Sequence, residues 1–481
     1  MNITTPIVQV VKPRFDSFCY RRLAVTATIV LLFALPLAAA PSSSELLRPW
    51  RGVQGAFPQT VAAGGHLLVW GIGLDDMQVV DERGKSVEWE RIELEDRVSD
   101  GELRPLRSLR VPDRAGLYTL SVIDAQKSVE VLVVPRPVPG PEVVIPPGLH
   151  RWSGPKELKE GTSVIAYGAV IDGQGKPLFK LAPNCRIVGG LYQNFSEFAS
   201  SGNGDGLQII DAHIRGGTSG VNWSQERLVI RDCTLERWFL YIFNVKGALL
   251  QRNRFIGLRR EGHALRCLSA RNMVMIDNIF DGTERGIVIQ PQWGAVEHNL
   301  FYRNTFQNID YIHGGNEPFL VEMGPHPFSW NMSFHQRVVN CGNVAVLIYG
   351  AAASDNLWYD LKSVNAGGIV LTDVPSHPDG ELHDQVRNLF MRSELHGGVV
   401  RFGAKARHNV IAETGMVSPV PGRGSGQRRF PEWYRAGVIF DAAVVGNRII
   451  RCSVYDRNGF TVARNVELND VTIEPNDPRR Q

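Results

Sequence analysis

The sequence predicts an all-β chain: a small β-sandwich followed by a long solenoid of short parallel strands. Three observations carry this expectation. A short motif recurs through residues 227–473: a polar residue, usually Asn at the second place, an apolar run, then another polar residue. A second short apolar strand follows most copies, with no helix between them. A proline-rich stretch at 135–141 (PRPVPGP) then divides this repeat from a differently patterned segment before it.

The first element is a leader. Lys12, Arg14, Arg21 and Arg22 precede an apolar stretch at 23–37, and Ala38-Ala39-Ala40 closes it. That is the pattern of a secretory signal over residues 1–40. Pro41 stands where cleavage would follow, so an uncleaved membrane anchor is the alternative reading, and in either case the rest of the chain is exported. With 52 basic and 49 acidic residues the net charge is +3, which gives no pull toward nucleic acid and leaves the anchor as the only expected membrane contact. No G-x-x-x-x-G-K-[ST] and no strand–GxGxxG–helix unit is present, so no nucleotide site is expected. A monomer is expected. Cys185, Cys233, Cys267, Cys341 and Cys452 are far apart and show no metal-ligand spacing, which reads as buried thiols.

Residues 41–137 form the sandwich. The β-rich runs 66–74, 77–84, 86–94, 117–124 and 128–135 are broken by Gly and Asp. The stretch Asp113-Arg-Ala-Gly-Leu-Tyr118 resembles the D-x-G-x-Y of immunoglobulin-like domains, in which the Tyr hydroxyl bonds back to the main chain. No Cys lies in this segment, so an inter-sheet disulfide is excluded. A spacer role, or binding of glycan or protein, is open.

Residues 138–481 form the solenoid. Copies of the motif stand at 271–280 (RNMVMIDNIF), 298–306, 355–364, 387–395, 408–415, 446–454 and 464–473, with relatives at 227–235 and 248–255. The accompanying strands include YIFNV, HALRCL, GIVIQP, VAVLIY, GIVLTD, GVVRF and GVIF. Such units cannot bury an apolar face alone, so they stack. Asn at a fixed turn position can satisfy turn backbone groups and stack on the next Asn. Residues from about 142 to 475 therefore resemble the pectin-lyase-like right-handed parallel β-helix proteins. Many of these cleave or epimerise acidic polysaccharides, and others are tailspikes or adhesins. The resemblance implies the fold, while the family's catalytic signatures are not matched. Asn203-Gly-Asp205-Gly and Gly262-His263-Ala264 replace the Asp-Asp and G-H-G of polygalacturonases, and Asp373-Val-Pro-Ser-His-Pro-Asp379 is not the D-P-H-D of epimerases.

Candidate site residues come from strand alternation and loop content. Leu265, Cys267, Ile287 and Ile289 should point inward, leaving Arg266 and Gln290 outward, with Thr372, Arg401 and Asp441 in later coils and Asn244 in an earlier one. The expected result is a polar strip that seats an extended polymer, with Arg suited to a carboxylate or sulfate. His263 and Arg266 would supply a base and a cation for proton removal next to a uronate carboxyl, although alternation groups His263 with Leu265 as a core residue. The interval 308–336 reads as a loop insertion. It brings His313, Glu317 and Glu322 as candidate acid, base or binding groups, and Trp330 as a sugar-stacking ring. A loop at 376–384 with His377, Asp379, Glu381, His383 and Asp384, and the turn Asp205, could take Ca²⁺ or another metal, or be solvated turns. The leading expectation is a lyase-type enzyme on an acidic polysaccharide. A non-catalytic glycan-binding or structural surface protein and a glycoside hydrolase are the alternatives.

Overall fold

The computed structural model describes residues 40–92, 103–217, 226–257, 263–309, 318–322, 324–341, 344–372, 383–397, 400–403, 405–417, 438–440, 446–455, 467–469 and 472–474. The leader reading of residues 1–40 thus lies outside the described residues, save Ala40. Among those described, no helix is long and apolar enough to cross a membrane.

From residue 142 onward the chain winds as a right-handed parallel β-helix. One coil shows how. Met273–Ile276 runs in a first long sheet, and Ile279–Asp281 in a second. Arg285–Ile289 follows in an eight-stranded sheet and Val296–Glu297 in a six-stranded one. Leu300–Tyr302 then returns beside the starting strand, pairing Val274 with Leu300 and Ile276 with Tyr302 in parallel. The two long sheets each stack 14 strands. Among the described residues no helix interrupts the coils, so each coil buries its apolar side chains by stacking on its neighbours. Inside, Phe255, Phe280 and Phe306 stack at 4.5 and 4.9 Å. The five described cysteines are free and buried, as expected.

The turns explain the motif. At the entry to the first long sheet, Asn299, Asn331, Asn356, Asn388, Asn409 and Asn447 are fully buried and form a ladder. Each Oδ1 accepts both the backbone N–H and the side-chain amide of the preceding rung, as from Asn331 to Asn356 at 3.0 Å each. Each Nδ2 also donates to a backbone carbonyl inside the coil, as Asn356 does to Phe328 at 2.9 Å. The expected Asn stack is therefore a hydrogen-bond device that satisfies a buried turn. A shorter ladder of Asn253, Asn278 and Asn304 serves the next turn.

The residue before that second turn is left-handed in coil after coil (φ between 49 and 59° from Asp232 to Arg451). Those residues alternate in sign from Asp232 to Arg303 and again from Asp360 to Arg451, with His335 between the two runs. Arg252 clasps Asp232 at 2.6 and 2.9 Å, and Arg303 clasps Asp277 at 2.8 and 2.9 Å. His335 meets Asp360 at 2.7 Å, and Glu413 sits between Arg392 and Arg451 at 2.8 and 2.7 Å.

The described part of the interval 308–336 is not a loop insertion. It holds the strands Phe319–Val321, Phe328–Ser329 and Met332–Phe334, a further coil of the stack. Trp330-Asn331-Met332-Ser333-Phe334 is a copy of the motif, disguised by Ser333 in the apolar run and by Gln336 where the preceding coil has Asn304.

Residues 52–134 fold into two four-stranded sheets. The expected runs form strands at His66–Ile72, Met77–Asp81, Gly116–Val122 and Ser128–Val134. Tyr118 donates its hydroxyl to the Arg114 carbonyl at 3.1 Å, the expected bond. This body lies against the outer face of the first long sheet. Trp50, Phe57 and Trp70 pack with Tyr302, Phe334 and Tyr359 in one buried cluster, and Trp50 Nε1 donates to the Asp355 carbonyl at 2.9 Å.

Candidate functional site

The outward face of the eight-stranded sheet is exposed to chemistry at its first strands. Leu240–Ile242 opens the sheet within Phe239-Leu-Tyr-Ile-Phe243. Leu240 and Ile242 are fully buried in the core, so alternation turns Phe239, Tyr241 and Phe243 onto the other face. The rings form a row. Phe239 and Tyr241 are 4.1 Å apart, and Tyr241 and Phe243 stack at 5.5 Å with planes 16° apart. Trp293, 63% exposed, continues the row around the corner, 6.3 Å from Phe243.

Beside this row stand the polar groups. Arg266, on His263–Cys267, is the register partner of Tyr241, and its guanidinium lies 5.9 Å from that ring. It donates to the side chain of Gln290. Its Nε is buried without a partner among the described residues. His263 begins the same strand. Alternation alone would group it with Leu265 in the core. The strand start relaxes that rule, and the ring lies 5.5 Å from Phe239 on the outward flank. Its Nδ1 is buried without a partner among the described residues. Burial first, then the charges of Arg285 and Arg266, push its pKa down to about 3, so the ring is neutral in ordinary conditions. Arg285 is the register partner of His263 and pairs with Glu322 at 3.2 Å.

His263 and Arg266, Gln290, and Glu322 thus stand on three successive coils; the sequence expectation had set Glu322 apart, in the interval 308–336. Asn244 follows Phe243 in a left-handed turn and is exposed beside the row. The expected polar strip does not continue. Beyond Arg266 the outward positions are Val288, Leu320, Leu347 and Val370, none more than 4% exposed, and they pack as a separate apolar cluster. These branched and aliphatic side chains stack on one another as the core residues do, so the middle of this face is a second small core. Arg401 is outward on Val400–Phe402, five strands past Arg266, roughly 24 Å away at ordinary strand spacing. Trp330 lies elsewhere, under the sandwich, with the Lys127 ammonium 2.9 Å from its ring centroid, and is not on this face. His313 and Glu317 lie outside the described residues, as do Asp441 and most of the loop at 376–384. Among the described residues no group of three or more His, Cys, Asp or Glu could hold a metal. Asp205 binds the Glu226 N–H at 3.1 Å and serves its turn.

Phe239, Tyr241, Phe243, Trp293 and Arg285 were not singled out from the sequence. The signal was present: aromatics at every second place around a Leu-x-Ile strand core say that the outer face is aromatic.

No family model matches the chain, and no curated protein matches it. The protein is a right-handed parallel β-helix, and solved structures of that fold align with it. The A-module of an Azotobacter vinelandii mannuronan C-5 epimerase is 14% identical, covering 70% of this chain and 92% of that one, with a TM-score of 0.44. A Yersinia enterocolitica family 28 exopolygalacturonase is 10% identical, covering 89% and 99%, with a TM-score of 0.38. A surface adhesin of Streptococcus pneumoniae is 10% identical, covering 70% and 85%, with a TM-score of 0.36. The likeness is one of fold.

Proposed function

We propose that this chain is an exported protein that acts on an acidic polysaccharide through the first strands of the eight-stranded sheet, by β-elimination at a uronate unit. The observation that carries the reading is the neutral His263 ring between Arg266 and Arg285, beside the row Phe239–Tyr241–Phe243. Aromatic faces stack on sugar rings, and guanidinium groups pair with carboxylates. Burial is the larger cause of the low histidine pKa; a uronate carboxylate seated against Arg266 and Arg285 offsets the smaller part, the charge of the two arginines, and to that extent makes the ring a stronger base as substrate binds. His263 then takes the proton next to the carboxyl, the electrons pass into the carboxyl group, and the two arginines stabilise that charge while the glycosidic oxygen leaves. Glu322 is already committed to Arg285, which argues against the paired free carboxylates of a hydrolase.

The test is absorbance near 235 nm while the purified protein meets a panel of uronate polymers, since elimination creates an absorbing unsaturated uronate. A rise is expected, reduced about 100-fold or more in Arg266→Ala and in His263→Gln. A flat trace, with polymer still bound in a Tyr241-dependent way, would replace the enzyme by the glycan-binding alternative, which rests on the aromatic row alone.

A further inference from the structure

A second polar hollow lies where the sandwich meets the β-helix, a cleft of about 710 Å³. Its walls are the turn Gln126-Lys127-Ser128 and residues Gln54 and Gln59 on the sandwich side, with Arg271, Asn272 and His298 on the helix side. Lys127 is the central group. Gln54, only 3% exposed, is fixed by its own bond to the Trp50 carbonyl at 2.9 Å and accepts a hydrogen bond from the ammonium at 3.0 Å. The Trp330 ring lies against the same ammonium. No carboxylate among the described residues lies within ion-pair distance of it. A half-buried cation without a counter-ion is costly. The cost shows in a pKa pushed down to about 8 by burial, against which Asp355 acts as a more distant anion. Arg271 adds a second cation, 60% exposed, paired with Glu297 at 3.1 Å. Four amides, Gln54, Gln59, Gln126 and Asn272, and the Ser128 hydroxyl make up much of the remaining wall, with Glu130 the carboxylate among the lining residues. Amides both donate and accept, which matches sugar hydroxyls.

We propose that this cleft is a second subsite for the same polysaccharide, taking one uronate residue with its carboxylate on Lys127 and Arg271 and its hydroxyls on the amides. The proposal rests on the reading of the aromatic face. The path between the two is continuous in the chain. Trp293 stands at the corner after Arg285–Ile289, and Val296–Glu297, which follows it, pairs with Ala270–Arg271 at the mouth of the cleft. A polymer leaving the aromatic row over Trp293 therefore reaches Arg271 next. The sandwich would then be part of the binding surface rather than a spacer.

Acetylation of Lys127 by an amine reagent, followed by peptide mass spectrometry, reads the cleft alone. Calorimetry of the Tyr241→Ala variant reads the face alone. A long oligouronate is expected to slow Lys127 acetylation several-fold in the unmodified protein, while inorganic sulfate and phosphate at equal charge concentration do not. Tyr241→Ala is expected to weaken both binding and protection. Protection by sulfate as strong as by the oligouronate would mean an adventitious ion only and would overturn the proposal. Tyr241-dependent binding with no protection of Lys127 would overturn the subsite and leave the face reading intact. Protection that Tyr241→Ala does not change would instead sink the shared-chain reading.

Discussion

His263, the base of the proposed reaction, also makes stability depend on pH. Its folded pKa, about 3, lies far below the ordinary histidine value, through burial and then Arg285 and Arg266. The unfolded chain therefore takes up a proton near pH 6.5 that the folded chain refuses until about pH 3. Stability is full above pH 6.5 and is lost as pH falls toward 3. Between pH 7 and pH 4 the expected loss from this group is roughly 2–3 kcal/mol. His263→Gln should flatten that part of a plot of melting temperature against pH; an unchanged acid limb would show that the ring is not held neutral. Glu413 has the opposite dependence. Burial works against its charge, but hydrogen bonds from Arg392, Ser43 and Arg451 overcome it and hold the pKa at about 2. Its contribution is full above the ordinary glutamate value and is lost as pH falls from there toward 2. At this scale the sequence was partly legible. His263, Arg266 and Gln290 could be found by alternation and local density, whereas Glu322 was named only as part of a supposed loop. Arg285 could not, because only the coil geometry brings it opposite His263.

At the scale of the element, the repeating unit is set by its turns. The Asn at the second place of the motif in the coils from Asn299 to Asn447 is worth more than a propensity, since each interior rung makes four side-chain hydrogen bonds in a buried turn. Asn388 donates to the Ala353 carbonyl at 3.0 Å and to Asn409 at 3.0 Å, and accepts from Asn356. Asn388→Ala leaves those partners buried and unpaired, with an expected cost of about 2–4 kcal/mol in denaturant unfolding. A cost below ~0.5 kcal/mol would mean that water replaces the amide. The motif was legible because Asn recurs at the ladder position from Asn299 to Asn447, and the strands of the eight-stranded sheet were read correctly for seven of its eight members. The coil around Trp330 was missed because Ser333 and Gln336 keep the geometry while breaking the apolar spelling. The apolar outer strip from Val288 to Val370 was missed for a different reason. In GIVIQP and VAVLIY both faces are apolar, and continuous apolar runs mark strands covered on two sides.

At the scale of the whole molecule, the same rule points to the packing of the two bodies. Met273–Ile276 is buried at all four places, because the sandwich covers the face that the core does not. The proline-rich segment reads as a divider, yet it joins parts that share a buried cluster. The sandwich and the β-helix are therefore expected to unfold in one calorimetric transition. Trp50→Ala, which removes both the buried ring and the bond to Asp355, should cost about 3–5 kcal/mol and separate the transition into two. Two transitions in the unmodified protein would show that the cluster does not couple them. Nothing in the sandwich sequence announced where it would dock. Its aromatic residues read equally well as its own core.

The alternating charges along the left-handed turns bear on how such a chain can change its length. Coils are nearly interchangeable in their strands, so a solenoid could in principle gain or lose them one by one. Here, excising the coil that carries Arg392 would set Asp360 against Glu413 at one strand spacing, about 5 Å, and duplicating it would set two arginines side by side. Between Asp360 and Arg451, removing or adding two coils keeps the signs matched. Across this stretch the ladder works as a parity check, and the history of insertions and deletions it tolerates should run in even steps.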